Sequence, residues 1–140
     1  MSPTVAKFTC QSIEFPIVIK VGKAIFLKHE FKINLLNLFE GANLEEFAQT
    51  MSLNDEKIID LMWDFVQDKF TDREAWIELL ERDDLTRFKE AFWDGVINFS
   101  DPVARPLIQE LRKRLPELLK QNVLNNLLPN QDQSQPKLSS

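Results

Sequence analysis

Residues 7–21 read KFTCQSIEFPIVIKV, a run that alternates apolar with polar side chains and draws its apolar members from Ile, Val and Phe. A period of two puts successive side chains on opposite faces of a strand, so this stretch reads as half-buried β structure. Pro16 has no N–H to give to a ladder and belongs at an edge or a bulge. Gly22-Lys23 follows as a turn, and residues 24–31 (AIFLKHEF) read as a further strand. Residues 5–33 are therefore expected to form a β-hairpin or small meander. From Asn34 onward the apolar period becomes that of a helix, which sets the fold class: α+β, with the N-terminal β region followed by a bundle of four to five helices.

The helical part is punctuated by its own start and stop signals. Leu35, Leu36, Leu38 and Phe39 open a short helix that Gly41 can close. Asn43 is a natural N-cap for residues 44–51, with Glu45 and Glu46 in the first turn, where carboxylates suit the helix dipole. Ser52 with Asp55 resembles a capping box opening residues 53–70, whose stripe is Ile58, Met62, Phe65, Val66 and Phe70. Thr71 with Glu74 is a second capping box, ahead of Trp76, Ile77 and Leu80. Asp83 or Asp84 caps the next helix, in which Leu85, Phe88, Phe92, Val96 and Phe99 recur at three- and four-residue spacing. Residues 98–106 (NFSDPVARP) break the pattern, with Ser100 or Asp101 as cap and Pro102 in a first helical turn. Leu107, Ile108, Leu111 and Leu115 form the face of the last helix, which Pro116 is expected to kink or interrupt. After Pro129 the composition falls to Gln, Asn, Ser, Asp and Pro, so residues 129–140 read as a disordered polar tail behind a single domain of residues 1–128.

The side-chain inventory excludes most chemistry. The chain of 140 residues holds one His and one Cys, so no intrachain disulfide and no ordinary zinc site can form. His29 and Cys10 fall in the same β region and are the sole candidates for a nucleophile–base pair, without a flanking elbow or oxyanion-type glycine loop. The three glycines are isolated from one another, so no phosphate-cradling loop exists. Asp60, Asp64 and Asp68 recur every four residues and share a helix face, where a cation or a basic partner would relieve their repulsion. The stretch from Asp64 to Glu74 lacks the central glycine of an EF-hand. No catalytic residue, cofactor or metal is expected. No apolar run is long enough to span a membrane, and residues 1–7 show no signal-peptide pattern, which points to a cytoplasmic protein.

Charge is distributed unevenly. Residues 40–101 carry 17 acidic and 6 basic residues, a net −11, together with all three tryptophans. Residues 1–39 hold 5 basic and 2 acidic residues, and residues 102–140 hold 6 and 3, so each flank is +3 and the total is −5. An acidic middle argues against nucleic acid as a partner. It favours docking onto a protein, or onto copies of the same chain, through charge complementarity. Trp63, Trp76, Phe92 and Trp93 are the candidate contact residues, since aromatics dominate binding hot spots. Core packing explains each one singly at least as well. Arg112, Lys113 and Arg114 form the basic cluster that would meet an acidic surface. Leu115-Pro-Glu-Leu-Leu119 matches the LxxLL docking pattern, one that any leucine-rich amphipathic helix produces.

The segment Val21-Gly-Lys-Ala-Ile-Phe-Leu-Lys-His-Glu-Phe31, followed by the expected leucine-rich helix (Leu35–Phe39), resembles the small tail assembly chaperones of long-tailed bacteriophages. Members often begin with a short β-hairpin carrying a Gly-Lys strand of this kind and continue as a helical bundle. Residues 90–102 (EAFWDGVINFSDP), with Arg105 beyond, are similar to a helix–loop–helix of small phage tail-module proteins. The likeness extends over residues 8–120 in layout. It implies self-association, residence in the host cytoplasm, and binding to a long helical tape-measure protein before the tail tube polymerises. The expected function is thus a non-enzymatic assembly factor that takes a partner's apolar helix face into a groove. Two alternatives stay open: a small acidic inhibitor that mimics DNA, and a structural virion component.

Overall fold

A computed structural model describes residues 5–127. The chain begins as an antiparallel hairpin of β1 (Ala6–Cys10) and β2 (Ile13–Ile17) and continues through six helices. These are α1 (Val21–Phe31), α2 (Asn43–Leu53), α3 (Asp55–Val66), α4 (Arg73–Glu78), α5 (Arg82–Phe99) and α6 (Arg105–Leu127), with a 3-10 turn at Gln67–Lys69. The α+β class and the order hairpin-then-helices are as the sequence predicts. The contacts divide the chain into a unit ending at Arg105 and a second beginning at Pro106. The boundary falls in the Asn98–Pro106 break. The expected tail, residues 129–140, lies outside the described residues.

The hairpin pairs Ala6 with Ile17, Phe8 with Phe15 and Cys10 with Ile13. The period of two buries Ala6, Phe8, Cys10, Phe15 and Ile17 on one face and leaves Lys7, Thr9, Glu14 and Pro16 on the other. Its two-residue loop is Gln11-Ser12, both at positive φ (50° and 69°), which is the handedness that matches the twist of paired strands. Neither residue is one that favours this region. Gln11 compensates through its side chain, whose Nε2 donates to the Trp76 carbonyl at 3.0 Å. Ser12 has no such bond, so Ser12→Gly should raise stability by about 0.5–1 kcal/mol, the left-handed cost less the added chain entropy. Chemical denaturation checks this, and a loss of stability would show that Ser12 does more than turn the chain.

α5 packs across the hairpin and against α3, and α2 packs against α3. Gly95 of α5 faces Ile17, where an added Cβ would lie 2.6 Å from Ile17 Cγ2. Glu81 is the N-cap of α5 and Asp84, three residues on, accepts from the Glu81 N–H at 2.9 Å, so the cap lies two residues before Asp83 and three before Asp84. Asn54, not Ser52, caps α3 by accepting from the Lys57 N–H at 3.1 Å. Asp72, not Thr71, caps α4 by accepting from Glu74 and Ala75.

Two expectations need correction. Residues 24–31 are not a strand: Val21–Phe31 is α1. Ala24 and Leu27 are buried while Val21, Ile25 and Phe26 are exposed, so apolar residues occupy opposite sides of the helix and imitate the composition of a strand. Lys32 ends α1 in the left-handed region (φ 59°), and the Ile33 N–H closes onto the Leu27 carbonyl at 3.2 Å in the manner of a Schellman cap. Residues 35–39 are not a helix either. Asn34 Oδ1 accepts from the Asn37 N–H at 3.1 Å, and Asn43 Nδ2 donates to the Asn37 carbonyl at 2.8 Å. These short polar side chains satisfy the backbone locally, and the segment becomes a series of turns that still buries Leu35 and Leu38.

In the second unit, Pro106 sits in the first turn of α6, while Asp101 and Pro102 lie in the turns before it. α6 runs through Pro116 rather than stopping there.

Candidate functional site

The four candidate aromatic residues belong to one linked set of rings. Trp63 meets Trp76 at 5.2 Å between centroids, Trp76 meets Phe70 at 6.4 Å, and Phe70 meets Phe15 at 6.1 Å. The set continues through Phe8 to Phe88 at 5.2 Å, Phe88 to Phe92 at 5.6 Å, Phe92 to Phe47 at 6.2 Å and Phe47 to Trp93 at 4.8 Å. Trp76, Phe92 and Trp93 are buried and Trp63 is half-buried. These rings are the core that joins the hairpin to α3, α4 and α5, rather than the lining of an open groove, so Trp76, Phe92 and Trp93 are withdrawn as contact residues. Arg112 is half-exposed and Lys113 and Arg114 are exposed on α6. At about 100° per residue these three consecutive side chains span much of the helix circumference, so they do not form one compact patch.

The acidic stripe is met from within the chain. Lys23 of α1 bonds Asp64 at 2.6 Å while its ammonium lies 4.9 Å from the Phe65 ring centroid and 5.1 Å from that of Phe26. Arg73 bonds Asp60, and Arg82 and Lys89 converge on Asp55, the latter at 3.0 Å. Arg87 bonds the buried Asp84 and donates through Nε to the Thr9 carbonyl at 3.1 Å, tying α5 to the hairpin. The carboxylates at 55, 60, 64 and 84 are thereby occupied and are lost to the array that a DNA mimic would display.

The hydrogen bond from the Arg82 guanidinium holds the Asp55 carboxyl below its ordinary pKa; burial opposes this, and the Lys89 ammonium adds to the lowering. A depressed folded-state pKa stabilises the protein above the unfolded value of about 4, and that contribution fades as pH falls through the folded value. Asp55 is 37% exposed, so solvent screening keeps the effect of Asp55→Asn at pH 7 below about 1 kcal/mol. Urea midpoints should differ between variant and parent at pH 7 and converge as the pH falls through the folded value. A difference that persists in acid would mean that Asp55 acts through packing.

Cys10 and His29 are not partners. Cys10 is fully buried opposite Ile13, whereas His29 is exposed on α1. Burial pushes the Cys10 thiol up, and the Trp76 indole N–H only partly opposes it. Trp76 Nε1 is itself buried without a formed hydrogen bond, so its contact with the sulfur is a weak polarisation, as expected of so poor an acceptor. A protonated, enclosed thiol is a poor nucleophile.

What the sequence reading missed is the outward side of α1. Val21, Ile25 and Phe26 are 59%, 45% and 39% exposed, and helical geometry puts them with His29 on one contiguous arc opposite Ala24 and Leu27. Lys28 borders that arc on one side and Glu30 on the other, and both are exposed. The turns that follow expose Leu36 and Phe39 as well. The signal was present in the sequence: Ala24 and Leu27 are three apart, and Val21 and Ile25 are four apart.

No protein-family model matches the chain, and neither a characterised protein nor a solved structure is significantly similar to it. Among the described residues, no helix is long and apolar enough to cross a membrane.

Proposed function

We propose that this protein is a non-enzymatic assembly factor that binds a helical protein partner, of the kind found as tail assembly chaperones in long-tailed phages. The observation that carries the reading is the outward arc of α1. Three large apolar side chains exposed side by side on one helix cost hydration free energy unless something covers them. With Lys28 on one border and Glu30 on the other, the arc suits an amphipathic partner helix whose apolar stripe carries an acid on one side and a base on the other. The phage assignment itself rests on the resemblance in residues 21–31 and 90–105. Its first element is a helix here, where the family pattern places a strand; the helix–loop–helix of the second corresponds to α5 and α6.

Co-expression with a tape-measure-like partner tests both parts. The parent chain should co-purify with it, and Ile25→Asp should reduce recovery at least tenfold while leaving the melting temperature of the isolated chain unchanged. Ile25 is exposed, so the substitution removes apolar contact area without disturbing the core. Undiminished recovery with Ile25→Asp would place the contact elsewhere.

A further inference from the structure

A shallow concavity of about 430 Å3 lies between the end of α1 and the α2–α3 junction, lined by Lys32, Glu46, Gln49, Thr50, Leu53, Asn54 and Lys57. It gathers two ammonium groups in the part of the molecule richest in carboxylates. Of the six basic residues within 40–101, Arg73, Arg82, Arg87 and Lys89 are all ion-paired. Lys57 and Lys69 are not, and outside that stretch neither is Lys32; among the described residues neither the Lys57 nor the Lys32 ammonium has an ion pair or a hydrogen bond. Burial holds the Lys57 ammonium below its ordinary pKa, Glu46 opposes this, and the charge of Lys32 lowers it further. Lys32 meanwhile occupies the left-handed position after α1 (φ 59°), where glycine or asparagine is the unstrained choice. Two local costs, one of solvation and one of backbone, thus converge on the same concavity.

The neighbouring groups are donors as well. Asn54 uses Oδ1 to cap α3, which leaves its amide N–H groups for another acceptor. Gln49 supplies a second amide and Thr50 a hydroxyl, while Glu46 is the sole carboxylate of the lining. Two lysines, two amides and a hydroxyl around one open concavity are the donor set for a group with several anionic oxygens.

We propose that this concavity is an oxyanion site, taking a carboxylate or phosphate group between Lys32 and Lys57. The site is separate from the outward arc of α1 and does not depend on that arc having a partner. The uniformly 15N-labelled chain, titrated at constant ionic strength with inorganic phosphate and, separately, with malonate, tests it. At least one titration should give saturable amide shifts concentrated at Lys32, Gln49, Thr50, Asn54 and Lys57. The anion that saturates identifies the chemistry: phosphate alone indicates a phosphorylated ligand, and malonate a carboxylate. The double variant Lys32→Gly, Lys57→Met should weaken the response at least tenfold, with a melting temperature equal to or above that of the parent. If that variant folds poorly, Lys57→Gln alone should still weaken binding severalfold. Shifts that fail to saturate with either anion, or that survive intact in the variants, would overturn the proposal.

Discussion

Replacing Phe88 with alanine lowers the unfolding free energy by about 3–5 kcal/mol, the range for deleting a fully buried aromatic ring. Phe88 has no exposed surface and touches the hairpin through Phe8 at 5.2 Å, α3 through Phe65 at 5.9 Å and its own helix through Phe92 at 5.6 Å. No other ring links those three elements so directly, and neighbours held by a helix and a hairpin cannot collapse far into the space left behind. Phe88→Leu keeps most of the volume and should cost under about 1.5 kcal/mol. Denaturant titration of the two variants measures the contrast. A loss below about 1 kcal/mol for Phe88→Ala would mean that the hairpin is not held on α5 by this cluster.

Gly95→Leu costs roughly 3 kcal/mol or more, by overpacking instead of by a cavity. The first added carbon already falls 2.6 Å from Ile17 Cγ2, and the Ile17 carbonyl lies 3.4 Å away, so α5 must lift off β2 to admit the rest of the side chain. Gly95→Ala is milder, because its clash is offset by about 1 kcal/mol of helix propensity. The combination Gly95→Ala, Ile17→Ala should cost less than the sum of its parts, since shortening Ile17 removes the atom in the way. Strict additivity would contradict close packing of α5 on the hairpin.

The legible parts of the fold are those where one period dominates. Residues 6–17 alternate cleanly because the sheet has one buried face, and α3 and α5 carry stripes that face a single core. α1 was misread because its apolar residues serve two purposes: Ala24 and Leu27 hold it to the protein, while Val21, Ile25 and Phe26 face outward. Such a helix lacks the polar side by which an amphipathic helix is recognised. The turns at residues 34–42 were misread for another reason: a leucine-rich composition concealed Asn34, Asn37 and Asn43, whose side chains compete with helical hydrogen bonding.

Three of the candidate contact residues were indistinguishable from core by composition alone. Large aromatics are favoured both by cores and by hot spots, and only their burial separates the two uses. Trp76, Phe92 and Trp93 proved to be core. The oxyanion concavity had no sequence signature at all, because Lys32 and Lys57 are 25 positions apart and meet only through the fold.

The central claim is that association runs through the outward arc of α1 and not through the tryptophans. Sedimentation velocity at tens of micromolar protein, on the parent chain and on Ile25→Asp, tests it most directly. Copies that set the arc of α1, with Lys28 at its border, against a neighbour's acidic helices should form oligomers at low salt and smaller species near 1 M, where charge interactions are screened within about 3 Å. Ile25→Asp should sediment as the smaller species at both salt concentrations, with an unchanged melting temperature. A parent chain that is monomeric at every salt concentration, or a variant that assembles as the parent does, would contradict the account.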